Sequence, residues 1–279
     1  MKDKIFKVFK LCILEKANIK YKNVRTRKYK LDYYLKCFTT MLNELNKWET
    51  LSKIYPNSNK YHWKAVYNEH CKWCNDNIFK DAFETFIKDN YFKYSKIRQN
   101  KKLNMFIDVT KIHNLKGHEC ITINNEYRKK NITPLTVLCD KNKLPLCVSV
   151  LPYNKIFKNG RKTSCHDVKG IQTALDSVSL SIPSYVVCNL IGDKGYISKT
   201  KFVIGKNNVT LITPKRKNQK ERTSNYDKKQ LRDRYKVENL FATVKAYSRV
   251  NVRHETKINN YLSFVYMSFL IEHIKHCNK

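Results

Sequence analysis

Three residues near the C-terminus have types and spacing that could do chemistry. In Leu231-Arg-Asp-Arg-Tyr-Lys-Val-Glu-Asn-Leu-Phe-Ala-Thr-Val-Lys245, Glu238 stands four residues after Arg234 and seven before Lys245. At about 100° per residue, a helix places Arg234, Glu238 and Lys245 within roughly 40° of one another, beside an apolar stripe of Val237, Leu240, Phe241, Val244 and Tyr247. A carboxylate is thus held at the edge of a core between two cations. A solvated salt-bridge face would carry the same charges, although such faces usually repeat the pairing along the helix.

Two aspartates sit as awkwardly as that glutamate. Asp108 interrupts the apolar strand Met105-Phe-Ile-Asp-Val109, where an unpaired charge is costly unless the site opens to water or metal. Asp193 follows the apolar run Tyr185-Val-Val-Cys-Asn-Leu-Ile-Gly192, at a strand exit where aspartate also serves as a turn or cap residue. With Glu238 they form a set of two aspartates on separate strands and one glutamate on a later helix. Phosphodiester cleavage needs charge stabilisation on both the attacking and the leaving oxygen, which two ions clamped by carboxylates supply. Hard oxygen ligands suit Mg²⁺ or Mn²⁺ and not zinc. Arg234 and Lys245 would then hold DNA phosphates close by.

Charge points to the same partner. Lys and Arg number 56 against 23 Asp and Glu, a formal net charge of +33 spread along all 279 residues. Such an excess repels itself unless a polyanion neutralises it, and nucleic acid does so through phosphate contacts and counterion release. No long apolar span or lipid-binding amphipathic segment favours a membrane instead. The first residues alternate Lys with apolar side chains and lack a signal peptide's apolar centre and cleavage site, so an intracellular, DNA-associated protein is expected, in a prokaryotic cytoplasm or in a nucleus or viral factory. Most of the ten cysteines lie in apolar runs and read as reduced and structural. His70-Cys-Lys-Trp-Cys74, with His62 upstream, lacks the second pair that a zinc site needs.

The elements that must position the carboxylates follow from periodicity. Residues 1–30 read as a basic, weakly patterned lead-in. From Leu31 to about Tyr94 the pattern is helical and aromatic, broken at Pro56-Asn-Ser-Asn59, and reads either as a DNA-binding helix-turn-helix or as a plain helical support. Strands are expected at 104–110, 133–139, 144–151, 185–191 and 209–213, with Asp140-Lys-Asn-Lys143 closing an antiparallel hairpin. Helices are expected at about 166–178, 196–205, 230–249 and 257–276. The domain division expected is 1–98, helical and DNA-end binding, and 99–279, catalytic.

Phe106-Ile-Asp-Val-Thr110, Ile191-Gly-Asp-Lys-Gly-Tyr196 and Arg234-x3-Glu238-x6-Lys245 resemble the three motif regions of DDE transposases of the insertion-sequence four and five superfamily. The resemblance covers much of 100–275, including His166-Asp167 and Arg249-Val-Asn-Val-Arg-His-Glu255, and less specifically the stretch around Trp48 and Trp63. It implies an α/β (α+β) fold: a ribonuclease-H-like mixed five-stranded sheet flanked by helices, with a helical N-terminal DNA-binding region. It implies a catalytic and metal-binding triad of Asp108, Asp193 and Glu238 with two Mg²⁺ or Mn²⁺ ions, and DNA contacts from Arg234, Lys245, Lys194 and Arg249. It further implies hydrolysis at transposon ends, attack of the freed 3′-hydroxyl on target DNA, and a homodimer acting on double-stranded DNA.

There are departures. Leu231 stands where the family often has tyrosine, three residues before the arginine. Little room exists between Asp108 and Asp193 for the long β-domain that some relatives insert. Lys111–Lys130 reads as a basic loop, either DNA-facing or merely solvated, and His166-Asp167 reads as a helix cap in preference to an acid-base pair. Gly195 is expected to permit the turn after Asp193. The alternatives left standing are a DNA-binding protein that kept the fold without the chemistry and a nuclease of the same fold without strand transfer.

Overall fold

The computed structural model describes residues 2–22, 28–44, 47–55, 62–95, 97–124, 130–150, 168–215 and 224–278. The N-terminal helices are α1 (Lys2–Tyr21), α2 (Leu31–Asn43), α3 (Leu51–Ile54), α4 (His62–Asn75), α5 (Ile78–Tyr94) and α6 (Ile97–Asn100). Then come β1 (Lys102–Asn114), β2 (Thr122–Asn124), β3 (Lys130–Asp140), β4 (Pro145–Ser149), α7 (Lys169–Asp176), β5 (Val187–Ile191), β6 (Phe202–Ile204) and β7 (Asn207–Ile212). The chain ends with α8 (Asn225–Arg232), α9 (Tyr235–Lys245), α10 (Ser248–Asn251), β8 (Val252–Arg253) and α11 (Ile258–Cys277). His166-Asp167 lies outside the described residues.

The chain divides into two compact units: Met1–Phe86 with Leu115–His118 and Val244–Lys279, and Ile87–Asn114 with Glu119–Thr243. This differs from the single cut expected at 98/99. The C-terminal helix α11 groups with the N-terminal helices, and α5 and α9 each carry the chain from one unit into the other.

In the first unit the expected lead-in is a helix. Phe9, Ile13, Ala17 and Tyr21 recur every four residues along α1 and are buried, a stripe that the lysines between them disguise. The aromatic core gathers Phe38, whose ring meets Trp73 at 5.2 Å and Phe79 at 5.9 Å, and His70, 5.0 Å from Phe264. Burial pushes the His70 pKa down to about 3, so the ring is neutral, and its Nε2 lies 2.9 Å from Ser263 Oγ. Cys74 Sγ packs 3.6 Å from the same ring, Cys71 Sγ accepts from Asn260 Nδ2 at 3.1 Å, and His62 Nε2 meets Tyr33 Oη at 2.7 Å.

The basic loop expected from Lys111 begins later. β1 continues to Asn114, and the Leu115 and His118 amides then donate to the Arg253 and Thr256 carbonyls at 3.0 and 3.2 Å. A Cβ at Gly117 would overlap the buried Arg253 guanidinium and displace it. Arg128 and Lys129 lie outside the described residues.

In the second unit, among the described residues, the strands run in the order β2-β3-β1-β5-β7-β6, with β4 beside β3 as well. β1 pairs antiparallel with β3 and parallel with β5, and β5 pairs parallel with β7. The five expected strands are thus β1, β3, β4, β5 and β7, a mixed sheet of the ribonuclease-H-like kind, which β2 and β6 enlarge. Asp140 closes the β3–β4 hairpin: its Oδ1 accepts from the Asn142 and Leu144 amides at 2.8 and 2.9 Å, and its Oδ2 from Tyr91 Oη at 2.9 Å.

Two helical expectations give way here. The helix expected at 196–205 is a 3₁₀ turn, Lys194–Tyr196, followed by β6. Phe202 and Ile204 are buried and Val203 is exposed, a period of two, and Gly205 at φ +57° turns the hairpin into β7. The helix expected at 230–249 is cut into α8, α9 and α10 with no glycine or proline at either break.

Arg249, expected at the DNA, is instead 1% exposed in the first unit, its Nη1 2.9 Å from Glu255 Oε1. Trp48 and Phe264 lie under its guanidinium at 5.9 and 6.0 Å. Burial pulls both pKa values toward neutrality, Glu255 up and Arg249 down, and each charge offsets that for the other. Replacing one member strands the other. Glu255→Leu is therefore expected to lower unfolding free energy by about 3–5 kcal/mol in a denaturant titration, well beyond the effect of a surface substitution.

Candidate active site

Strand register brings the two aspartates together. In the parallel β1–β5 pair, Asn104 faces Asn189 and Phe106 faces Ile191. Two residues further along both chains stand Asp108 and Asp193. Asp193 has extended backbone (φ −80°, ψ −174°) and caps the 3₁₀ turn, its Oδ1 accepting the Gly195 amide at 2.7 Å. The glycine that this turn needs for space is Gly192, where a Cβ would come within 2.9 Å of the buried Tyr196 ring. Gly195, expected to fill that part, serves through its amide.

Helices α8 and α9 bring in the third carboxylate. Side chains alternate across a strand, so Asn104, Phe106 and Asp108 share one face of β1. Gln230 of α8 bonds to Asn104 at 2.7 Å, and the Lys236 ammonium of α9 lies 5.7 Å from the Phe106 ring centre while binding Asp233 at 2.7 Å. These anchors set the break at Asp233-Arg234. Beyond it Glu238 falls in the first turn of α9, where the helix dipole favours a negative charge.

Arg234 stands among the acids. Its Nη1 is 4.0 Å from Asp193 Oδ2 and its Nη2 3.8 Å from Glu238 Oε1. Asp108 is mostly buried; its Oδ1 accepts the Val109 amide at 2.8 Å. Burial first, and then repulsion from Asp193 and Glu238, raise its pKa from 3.8 to about 6 against the pull of that amide and of Arg234.

Lys194 is exposed on the turn after Asp193, and Lys245 ends α9, half-buried and assigned to the first unit, with its pKa lowered by burial. Lys143 lies 5.9 Å over the ring of exposed Tyr235. Sequence reasoning passed over Lys236 and Gln230, whose role is visible only once their strand partners are known.

Among the described residues, no three His, Cys, Asp or Glu side chains converge closely enough to hold a metal ion. The carboxylates stand as a loose set around a guanidinium. Their chemistry nevertheless fits a hard divalent cation: the donors are all oxygens, and Asp108 carries excess negative charge around it that a cation would relieve.

Residues 163–257 match the family described as "Transposase DDE domain". That stretch is a transposase DDE domain. It contains Asp193, Arg234 and Glu238, while Asp108 lies outside the matched residues on β1, which pairs with β5 inside them. Neither a curated protein nor a solved structure gives a match. Domains of this family act on DNA and generally use divalent metal ions. Among the described residues no helix is long and apolar enough to cross a membrane.

The burial of Asp108 among other acids has a stability consequence with a definite sign. The folded chain holds the Asp108 proton more tightly than an unfolded chain would, so the penalty is absent below about pH 4 and complete above about pH 6. A rise from 3.8 to about 6 corresponds to on the order of 3 kcal/mol. Asp108→Asn, which keeps an acceptor for the Val109 amide, should therefore raise the melting temperature in chelator at pH 8 and give no gain at pH 4.

Proposed function

We propose that this chain is a DNA transposase that cuts at the ends of its element and joins the freed 3′-hydroxyl to target DNA. The observation that carries the reading is the placement of Asp193 and Glu238 against Arg234, with Asp108 within electrostatic reach of all three, on a sheet of ribonuclease-H-like order, in and beside a DDE domain. The Arg-x3-Glu-x6-Lys spacing favours the insertion-sequence four and five branch.

Asp108, Asp193 and Glu238 would hold two Mg²⁺ or Mn²⁺ ions, which when bound stabilise charge on the attacking and leaving oxygens. Arg234 is bound to its acids at ion-pair and not hydrogen-bond distances, and can turn to the scissile phosphate as cations take over its partners. Lys194 and Lys245 would grip the flanking phosphates. In the first step a water oxygen bonds to phosphorus and the strand leaves with a 3′-hydroxyl. In the second, that hydroxyl oxygen bonds to a target phosphorus and a target 3′-oxygen leaves. Two copies of the chain on paired ends would keep the two cuts together.

A supercoiled plasmid carrying the DNA that flanks the gene tests this. Cleavage and joined products should require Mg²⁺ or Mn²⁺, and Asp108→Ala, Asp193→Ala and Glu238→Ala should each lower the rate by at least about a hundredfold. Full activity in any one of the three removes that residue from the site. Cutting without joining would identify a nuclease, and binding without cutting a protein that has kept only the fold.

A further inference from the structure

A cluster of amides behind the carboxylates is not used by the chemistry above. Asn189 Nδ2 on β5 donates to Asn104 Oδ1 on β1 at 2.8 Å, and Asn104 Nδ2 donates to Gln230 Oε1 on α8 at 2.7 Å. Asn189 Nδ2 also reaches Tyr226 Oη, one turn earlier on α8, at 3.1 Å. Gln230 and Asn189 are buried, in surroundings where apolar residues would give packing without direction. The sequence positions are regular: Asn104, Asn189 and Gln230 stand four residues before Asp108, Asp193 and Arg234 respectively. One connected set of hydrogen bonds therefore joins the three elements that deliver the site, at the same remove on each.

We infer that Asn104, Asn189 and Gln230 are positioning residues, a latch that fixes the approach of α8, and with it Arg234 and Glu238, to the two strands bearing Asp108 and Asp193. A hydrogen bond specifies distance and direction where apolar packing tolerates slippage. The four-residue lever matters on both sides. Along β1 it spans about 13 Å of rigid strand, and beyond Gln230 α8 ends at Arg232, so a small rotation of α8 at Gln230 displaces the arginine that follows. The latch acts through Arg234 and Glu238 and touches no DNA. It rests on the proposed function for its catalytic consequence and not for its structural one.

The test uses the full chain with three substitutions. Gln230→Met removes the acceptor for Asn104, Gln230→Glu keeps an acceptor at the same place, and the double variant Asn104→Leu with Gln230→Met replaces that pair by apolar groups of similar shape, Asn189 keeping the Tyr226 hydroxyl as its acceptor. Hydrogen exchange of the backbone over residues 225–238 is read first, because it does not depend on what the chain does to DNA. Exchange should rise severalfold in Gln230→Met and in the double variant and return toward the parent value in Gln230→Glu. On the plasmid, single-turnover cleavage should fall about tenfold or more in the first two while DNA affinity stays within about twofold, and Gln230→Glu should recover most of the rate. A double variant that melts like the parent, exchanges like it and cleaves like it overturns the latch. A parent chain that never cleaves, with the exchange response intact, counts against the proposed function alone.

Discussion

Parallel pairing of β1 with β5 in one register is the constraint on which the site depends. It turns two aspartates from distant parts of the chain into neighbours, against their own repulsion and the cost of burying Asp108. That cost is on the order of 3 kcal/mol, with the Asp108 pKa raised to about 6. The same strands bury Met105, Phe106, Ile107, Leu190 and Ile191, each contributing about 1.5–3 kcal/mol when fully removed from water. The apolar rows on either side outweigh the acids several times over. A one-residue slip would turn every one of those side chains to the opposite face, so the register that brings the acids together is also the one that the core enforces.

The third carboxylate is held by a different device. Strand pairing cannot deliver Glu238, which arrives on a helix crossing the sheet face and is located by Gln230 on Asn104 and Lys236 over Phe106. The break at Asp233-Arg234 makes Glu238 a first-turn residue of a new helix, where the dipole favours a negative charge. In a continuous helix the same glutamate would sit in mid-helix without that help. The interruption that separates α8 from α9 therefore has an electrostatic consequence for the residue that follows it.

The sequence displayed the strands well because each is an apolar run bounded by turn residues, and the acids were conspicuous because they interrupt or follow such runs. Helix ends were less legible. Phe202-Val-Ile204 lies among lysines that suggest an amphipathic helix, and only its pairing with β7 makes it a strand. The break before Tyr235 carries no glycine or proline, since it is set by tertiary anchors. Asn104, Asn189 and Gln230 give no signal in a single chain: an amide in a strand reads as a polar interruption until its partners, on two other elements, are known.

Two arginines show why net charge alone cannot assign a binding role. Arg234 and Arg249 lie fifteen residues apart in a chain of net charge +33, and each faces a carboxylate. Arg249 bonds to Glu255 at 2.9 Å with both side chains 2% exposed, so withdrawing it would leave a buried anion uncompensated at about 3–5 kcal/mol, more than a phosphate contact returns. Arg234 is 36% exposed and its acids are 3.8 and 4.0 Å away, the regime in which an ion pair contributes about 0–1 kcal/mol. It can exchange a carboxylate for a phosphate at almost no cost. Burial, not charge, separates the arginine locked into the fold from the one left open to solvent beside its acids.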